Sequence, residues 1–154
     1  MISEVVRSPE PIVVVAESDD DVRACWEVYR QLRPHLDSVG EFVERYHRQQ
    51  AEGFELAFVR DGAGAVAGAA GFRLMHTMAW GRICYLDDLI VDAGRRGTGL
   101  GTLLLRFVQQ EALRRGCDSV HLDTGYGRHS AHRSYLRNGF DLICHHLEWR
   151  ARDA

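Results

Sequence analysis

The chain has 154 residues, 45% of them hydrophobic and 27% charged, with a formal net charge of -3. That length suggests one domain over residues 1–154 with bulk enough for a core, and the charge balance excludes a broad electrostatic grip on nucleic acid. All 19 basic residues are arginine, so any phosphate must be held by guanidinium or backbone N–H rather than by a lysine ammonium.

Met1–Pro11 carries Glu4, Arg7 and Glu10 and does not read as a signal peptide. Pro11–Ala16 is short and β-branched, the pattern of a strand. Ser18 and Asp19–Asp21 then make a helix start, where carboxylates cap N–H groups. Val22, Trp26 and Tyr29 follow at helical spacing until Pro34. A second helix is expected over Ser38–Ala51, with Phe42 and Tyr46 on one face and Gly53 at its end. Phe54–Arg60, Ala65–Met78 and Arg82–Asp92 read as three strands of an antiparallel meander, joined by turns at Asp61–Gly64 and Ala79–Gly81.

A glycine-rich turn, Gly94–Gly101, leads from the third of these strands into an amphipathic helix. Leu100, Leu103, Leu104, Phe107, Val108 and Ala112 mark its buried face. Ser119–Thr124 is a strand, and a short helix spans about His129–Asn138 before Gly139. Two last strands are expected near Asp141–His145 and Leu147–Arg150. The order is β-αα-βββ-α-β-α-ββ, an α+β domain with helices flanking a mostly antiparallel mixed sheet. No apolar run approaches the length of a membrane span, and the four cysteines form no CxxC pair. A soluble cytoplasmic protein with reduced thiols is the simplest expectation.

The turn Arg96-Gly97-Thr98-Gly99-Leu100-Gly101-Thr102 follows a strand and opens a helix, which is the geometry of an anion site. Glycines there let a diphosphate reach the backbone. The P-loop pattern fails for want of a lysine, and the dinucleotide fingerprint G-x-G-x-x-G fails on spacing. Arg-x-x-Gly-x-Gly fits instead, and it resembles the pyrophosphate loop of the GCN5-related N-acetyltransferase (GNAT) superfamily. A second motif, Tyr135-Leu136-Arg137-Asn138-Gly139-Phe140, is similar to that superfamily's Tyr-x-x-x-Gly-Phe ending. His129 stands where many members have Asn, and Ala131 matches. The string from Arg128 to Tyr135 resembles a subgroup that includes aminoalkylphosphonate acetyltransferases.

The resemblance implies an acetyl-CoA-dependent transfer to a primary amine. In that reading Leu89, Ile90 and Val91 meet the pantetheine arm and acyl carbonyl, Arg96–Thr102 meet the diphosphate, and His129 lies at the donor. Tyr135 is the implied general acid. A lysine-like amine is neutral only about once in 2,500 molecules at pH 7, so a carboxylate base is useful. Asp87 and Asp88 lie just before the turn, and Glu41 and Glu44 on the second helix are further candidates. Strand alternation sends the two aspartates to opposite faces unless a bulge intervenes. His132, one turn before Tyr135, lines the acceptor pocket or orients a hydrogen bond. His129/His132 and His145/His146 lack an ordered carboxylate or cysteine partner in sequence, so no metal is expected. The acceptor is expected to be a small-molecule amine, with a protein or peptide amine as the enzymatic rival and a non-catalytic CoA-binding sensor as the rival of another class. Apolar Leu142, Ile143, Leu147 and Trp149 near the C-terminus, together with the habit of the family, suggest a homodimer.

Overall fold

The structure is a computed structural model, and it describes residues 10–151. The expectation about Met1–Pro11 therefore lies outside the described residues except at Glu10 and Pro11. The described residues form two compact units, one ending at Leu122 and the other beginning at Asp123.

The first unit holds a five-stranded sheet in the order β1 (Val13–Val15), β2 (Glu55–Arg60), β3 (Val66–Thr77), β4 (Gly81–Val91) and β5 (Ser119–Leu122). The first four strands pair antiparallel, and β5 joins β4 in parallel. The mixed, mostly antiparallel sheet expected from sequence is thus present. The helix expected from Ser18 to Pro34 is two, α1 (Asp19–Ala24) and α2 (Trp26–Leu32). They meet at buried Cys25, whose N–H donates to the Val22 carbonyl three residues back rather than four, tightening the turn. Ser18 caps α1 through the Asp21 N–H, and Ser38 caps α3 (Val39–Ala51) through the Glu41 N–H.

Side-chain alternation along β3 divides the unit into layers. Ala69 packs in a cluster with Val22, Val28, Tyr29, Phe42, Tyr46 and Phe54 beneath α1–α3. The opposite face meets α4 (Leu100–Arg114). Phe72 makes an edge contact with Phe107, and a Cβ on Gly68 would stand 3.0 Å from Leu104. Covering on both faces explains the small, nearly continuous apolar run Val66–Phe72. On α4 the fully buried positions are Leu104, Leu105, Val108 and Ala112, so Leu105 joins the expected face while Leu100, Leu103 and Phe107 are only partly covered.

The second unit contains α5 (His129–Arg137), closed by Gly139 at φ +87°. The two strands expected over 141–145 and 147–150 are not formed. Their alternating pattern is real, but a strand exists only where its backbone finds a partner, and no described strand pairs with them. Leu142, Ile143, Leu147 and Trp149 are between 61% and 91% exposed, so this segment contributes almost nothing to a core. No helix among the described residues is long and apolar enough to cross a membrane.

Candidate active site

The glycine turn joins β4 to α4 through a single 3-10 turn, Ala93–Arg95. Gly97 and Gly99 adopt φ of +78° and +86°, values that L side chains rarely take. Gly99 is the N-cap of α4 and offers no side chain to its N–H groups. The first turn of a helix has no intrahelical acceptors for those groups, and the dipole adds partial positive charge there. Nothing lies within 4 Å of where a Cβ would project at either glycine. An open, uncapped start to a 15-residue helix, beside exposed Arg96, is an arrangement suited to an anion such as a diphosphate.

Asp87 and Asp88 sit in a bulge of β4. Gly71 pairs with Asp88 and Phe72 with Leu86, which leaves Asp87 as the extra residue. The bulge cancels the alternation, and both carboxylates meet arginines. Arg73 donates from Nε and Nη2 to the two oxygens of Asp87, each at 3.0 Å. Arg33, at the end of α2, donates from Nε to Asp88 Oδ1 at 3.0 Å and from Nη2 to the Asp87 carbonyl at 3.2 Å. The buried Tyr29 hydroxyl donates to Asp88 Oδ2 at 3.3 Å. Burial pushes the Asp87 carboxyl above its ordinary range, against the pull of Arg73. Burial, then the Asp88 charge, holds the Tyr29 phenol well above its usual value, so Tyr29 remains a donor. The parallel pairing of β4 with β5 stops at Leu86 and Leu122, one residue before the bulge. Leu89, Ile90 and Val91 therefore continue β4 past the end of its β5 pairing, with β3 the one strand paired to them among the described residues.

In the second unit, α5 carries His129, His132 and Tyr135 one turn apart in succession. The His129 and His132 rings lie 6.1 Å apart. His132 Nε2 is 2.8 Å from the Gly125 carbonyl oxygen, which can only accept, so Nε2 carries the proton. His132 thus ties the loop before α5 to the helix. Tyr135 packs edge-on against Phe140 with ring centroids 5.9 Å apart, and the Phe140 N–H donates to the Tyr135 carbonyl. Burial raises the Tyr135 phenol, and Arg128 opposes this.

The thiols offer no alternative nucleophile within the first unit's core. Cys25 and Cys84 are fully buried, and burial pushes each up to about 12.

The model of the acetyltransferase (GNAT) family matches residues 15–140. The chain belongs to that family. As a GNAT protein it is 35% identical over 66 residues to an aminoalkylphosphonate N-acetyltransferase of Salmonella typhimurium strain LT2, a match covering 43% of this chain and 42% of that protein. It is 32% identical over 77 residues to a streptothricin acetyltransferase of Streptomyces lavendulae, covering 50% of this chain and 41% of that one. These matches span about two-fifths of each relative. Among solved structures, an aminoglycoside N-acetyltransferase in complex with CoA superposes with a TM-score of 0.83 at 17% identity, covering 97% of this chain and 99% of that one. At that identity the likeness speaks for the GNAT fold.

Within this GNAT fold, sequence reasoning found the glycine turn and both carboxylates but missed their partners. Arg33 reads as an ordinary helix residue, and Arg73 as part of an apolar strand. A signal for Arg73 does exist. Counting back from the tight turn after Thr77 brings it opposite Tyr85, two residues from Asp87 on the facing strand. No local pattern points to Arg33, which lies 55 residues from Asp88.

Proposed function

We propose that this chain is an acetyl-CoA-dependent N-acetyltransferase, working as one domain over residues 1–154, that acylates a primary amine of a small molecule. The observation that carries the proposal is the uncapped start of α4, opened by Gly97 and Gly99 at positive φ directly after bulged β4. Backbone N–H groups of Gly97–Thr102 and the Arg96 guanidinium neutralise the diphosphate. Backbone groups of Leu89 to Val91, past the end of the β4–β5 pairing, bond the pantetheine arm as an added strand does.

In the transfer, the amine nitrogen attacks the thioester carbonyl carbon. The C–N bond forms and the C–S bond breaks. Asp87, directly or through water, takes the proton the ammonium must lose. Tyr135 gives its hydroxyl proton to the departing thiolate and is restored, through water, by the second proton that the acylated nitrogen sheds. Deprotonating a lysine-like amine at pH 7 costs about 4.6 kcal/mol, which sets the scale of what the base must offset. Asp88, bonded by both Arg33 and Tyr29, holds the bulge that aims Asp87. The family resemblance assigns His129 to donor binding, and His132 holds the loop that precedes the acid.

The relatives named for aminoalkylphosphonate and streptothricin acetylation favour a small amine over a protein substrate. Cytoplasmic residence and a homodimeric assembly complete the reading. The deciding experiment is thiol release from acetyl-CoA across a panel of aminoalkylphosphonates, aminoglycosides, polyamines and peptides. Turnover with a small amine and none with peptides is expected. CoA binding without release by any acceptor would make the chain a sensor module instead.

A further inference from the structure

The glycine turn is tied to the rest of the first unit by residues outside its motif. Gln31, the next-to-last residue of α2, reaches it with both ends of its amide. Its Nε2 donates to Asp92 Oδ1 at 2.9 Å, and its Oε1 accepts from the Ala93 N–H at 3.0 Å. Asp92 passes the constraint on, because its other oxygen accepts from the Gly94 N–H at 3.2 Å and its carbonyl from the Arg95 N–H at 2.8 Å. On the far side, the Arg95 guanidinium pairs with Asp61 in the β2–β3 turn, whose carboxylate also accepts from the Ala63 and Ala65 N–H groups. Thr98 Oγ1 closes the turn on the Arg95 carbonyl at 2.5 Å. Arg95 is thereby engaged, which leaves Arg96 as the exposed guanidinium of the pair.

A turn rich in glycine has many conformations available and loses much entropy when one is selected. Side chains that select it before binding raise affinity without touching the ligand. Gln31 is surface-exposed, so its two bonds into the loop are not a by-product of core packing.

We infer that Gln31 is a positioning residue for the diphosphate site, fixing the turn through Asp92 and Ala93 so that its N–H groups stand ready for the acyl donor. The inference rests on the diphosphate reading given above. It predicts that Gln31 matters for ligands bearing a diphosphate and not for the pantetheine arm alone.

The test compares calorimetric affinities for CoA and for pantetheine, which lacks the diphosphate. Q31M keeps the chain length and neutrality but removes both loop bonds. It is expected to bind CoA about three- to tenfold more weakly, the range expected for one or two hydrogen bonds, and to bind pantetheine as wild type does. Q31E/D92N keeps the net charge and exchanges donor for acceptor. The new amide at position 92 then donates to the new carboxylate at position 31, which still accepts from the Ala93 N–H. The amide oxygen at position 92 still accepts from the Gly94 N–H. This double variant is expected to recover most of the CoA affinity that Q31M loses, short of wild type because the new carboxylate oxygen faces the Glu27 carbonyl to which Gln31 Nε2 donates. Q31M binding CoA normally, an equal loss for CoA and pantetheine, or a double variant no better than Q31M each overturns the inference. Wild-type protein that binds both ligands equally would instead remove the diphosphate reading on which it rests.

Discussion

Arg73 and Asp87 face each other across the β3–β4 ladder in a fork-to-fork pair, both side chains only 18% exposed. The carboxylate proposed as base is therefore ionised by a partner in a place where burial alone favours its acid form. Because burial is the larger influence, the folded Asp87 titrates above its ordinary value of 3.8, and its ionisation costs stability as pH rises through that window. R73Q removes the opposing pull, so the Asp87 carboxyl should move further up. Its stability deficit against wild type should grow as pH rises from the range where wild-type Asp87 titrates, reaching about 1.5–3 kcal/mol at neutral pH. Urea titrations at several pH values measure this. The acid limb of kcat/KM should shift upward in the same variant and vanish in D87N if Asp87 is the base.

Gly71 stands opposite Asp88 because nothing larger fits. A Cβ there would lie 2.3 Å from Phe54 Cζ and 2.7 Å from the Tyr29 hydroxyl oxygen that donates to Asp88. G71A should cost about 1–3 kcal/mol through overpacking. Thermal melts should show a fall of roughly 2–4 °C per kcal/mol for a chain of this size. An unchanged melting temperature would mean that the Phe54 ring swings clear at no cost.

Tyr135→Phe keeps the ring and its contact with Phe140 but removes the hydroxyl. General acids typically contribute ~10²–10⁴-fold, so kcat should fall at least about tenfold even with water substituting, while CoA affinity stays near wild type. Burial raises the phenol above its ordinary 10.0, so it remains protonated through neutral pH, and any alkaline limb it causes should lie above that value. Normal turnover of Y135F with a good acceptor assigns Tyr135 to packing alone.

The segment after Phe140 exposes Leu142, Ile143, Leu147 and Trp149, a run that water disfavours. Light scattering at micromolar concentration should report a dimer, and L147R/W149R should shift it toward the monomer. A wild-type monomer mass rules the dimer out.

The glycine turn, α4 and the ends of most elements were legible in the residues themselves. These depend on near neighbours: a missing Cβ permits positive φ at Gly97 and Gly99, and Ser18 and Ser38 cap the next turn of their own helices. Which side chains the two carboxylates meet depends on long-range packing. Strand alternation separates Asp87 from Asp88, and only the β3 register, which skips from Gly71 to Phe72 across them, brings both to arginines. Arg33 and Gln31 acquire their roles at separations of 55 and 61 residues, beyond the reach of any periodicity. The same reason explains the C-terminal strands that the pattern predicts and the fold lacks. An alternating pattern says which face a strand would bury, but whether the strand forms is settled by the partner whose N–H and C=O groups it must meet.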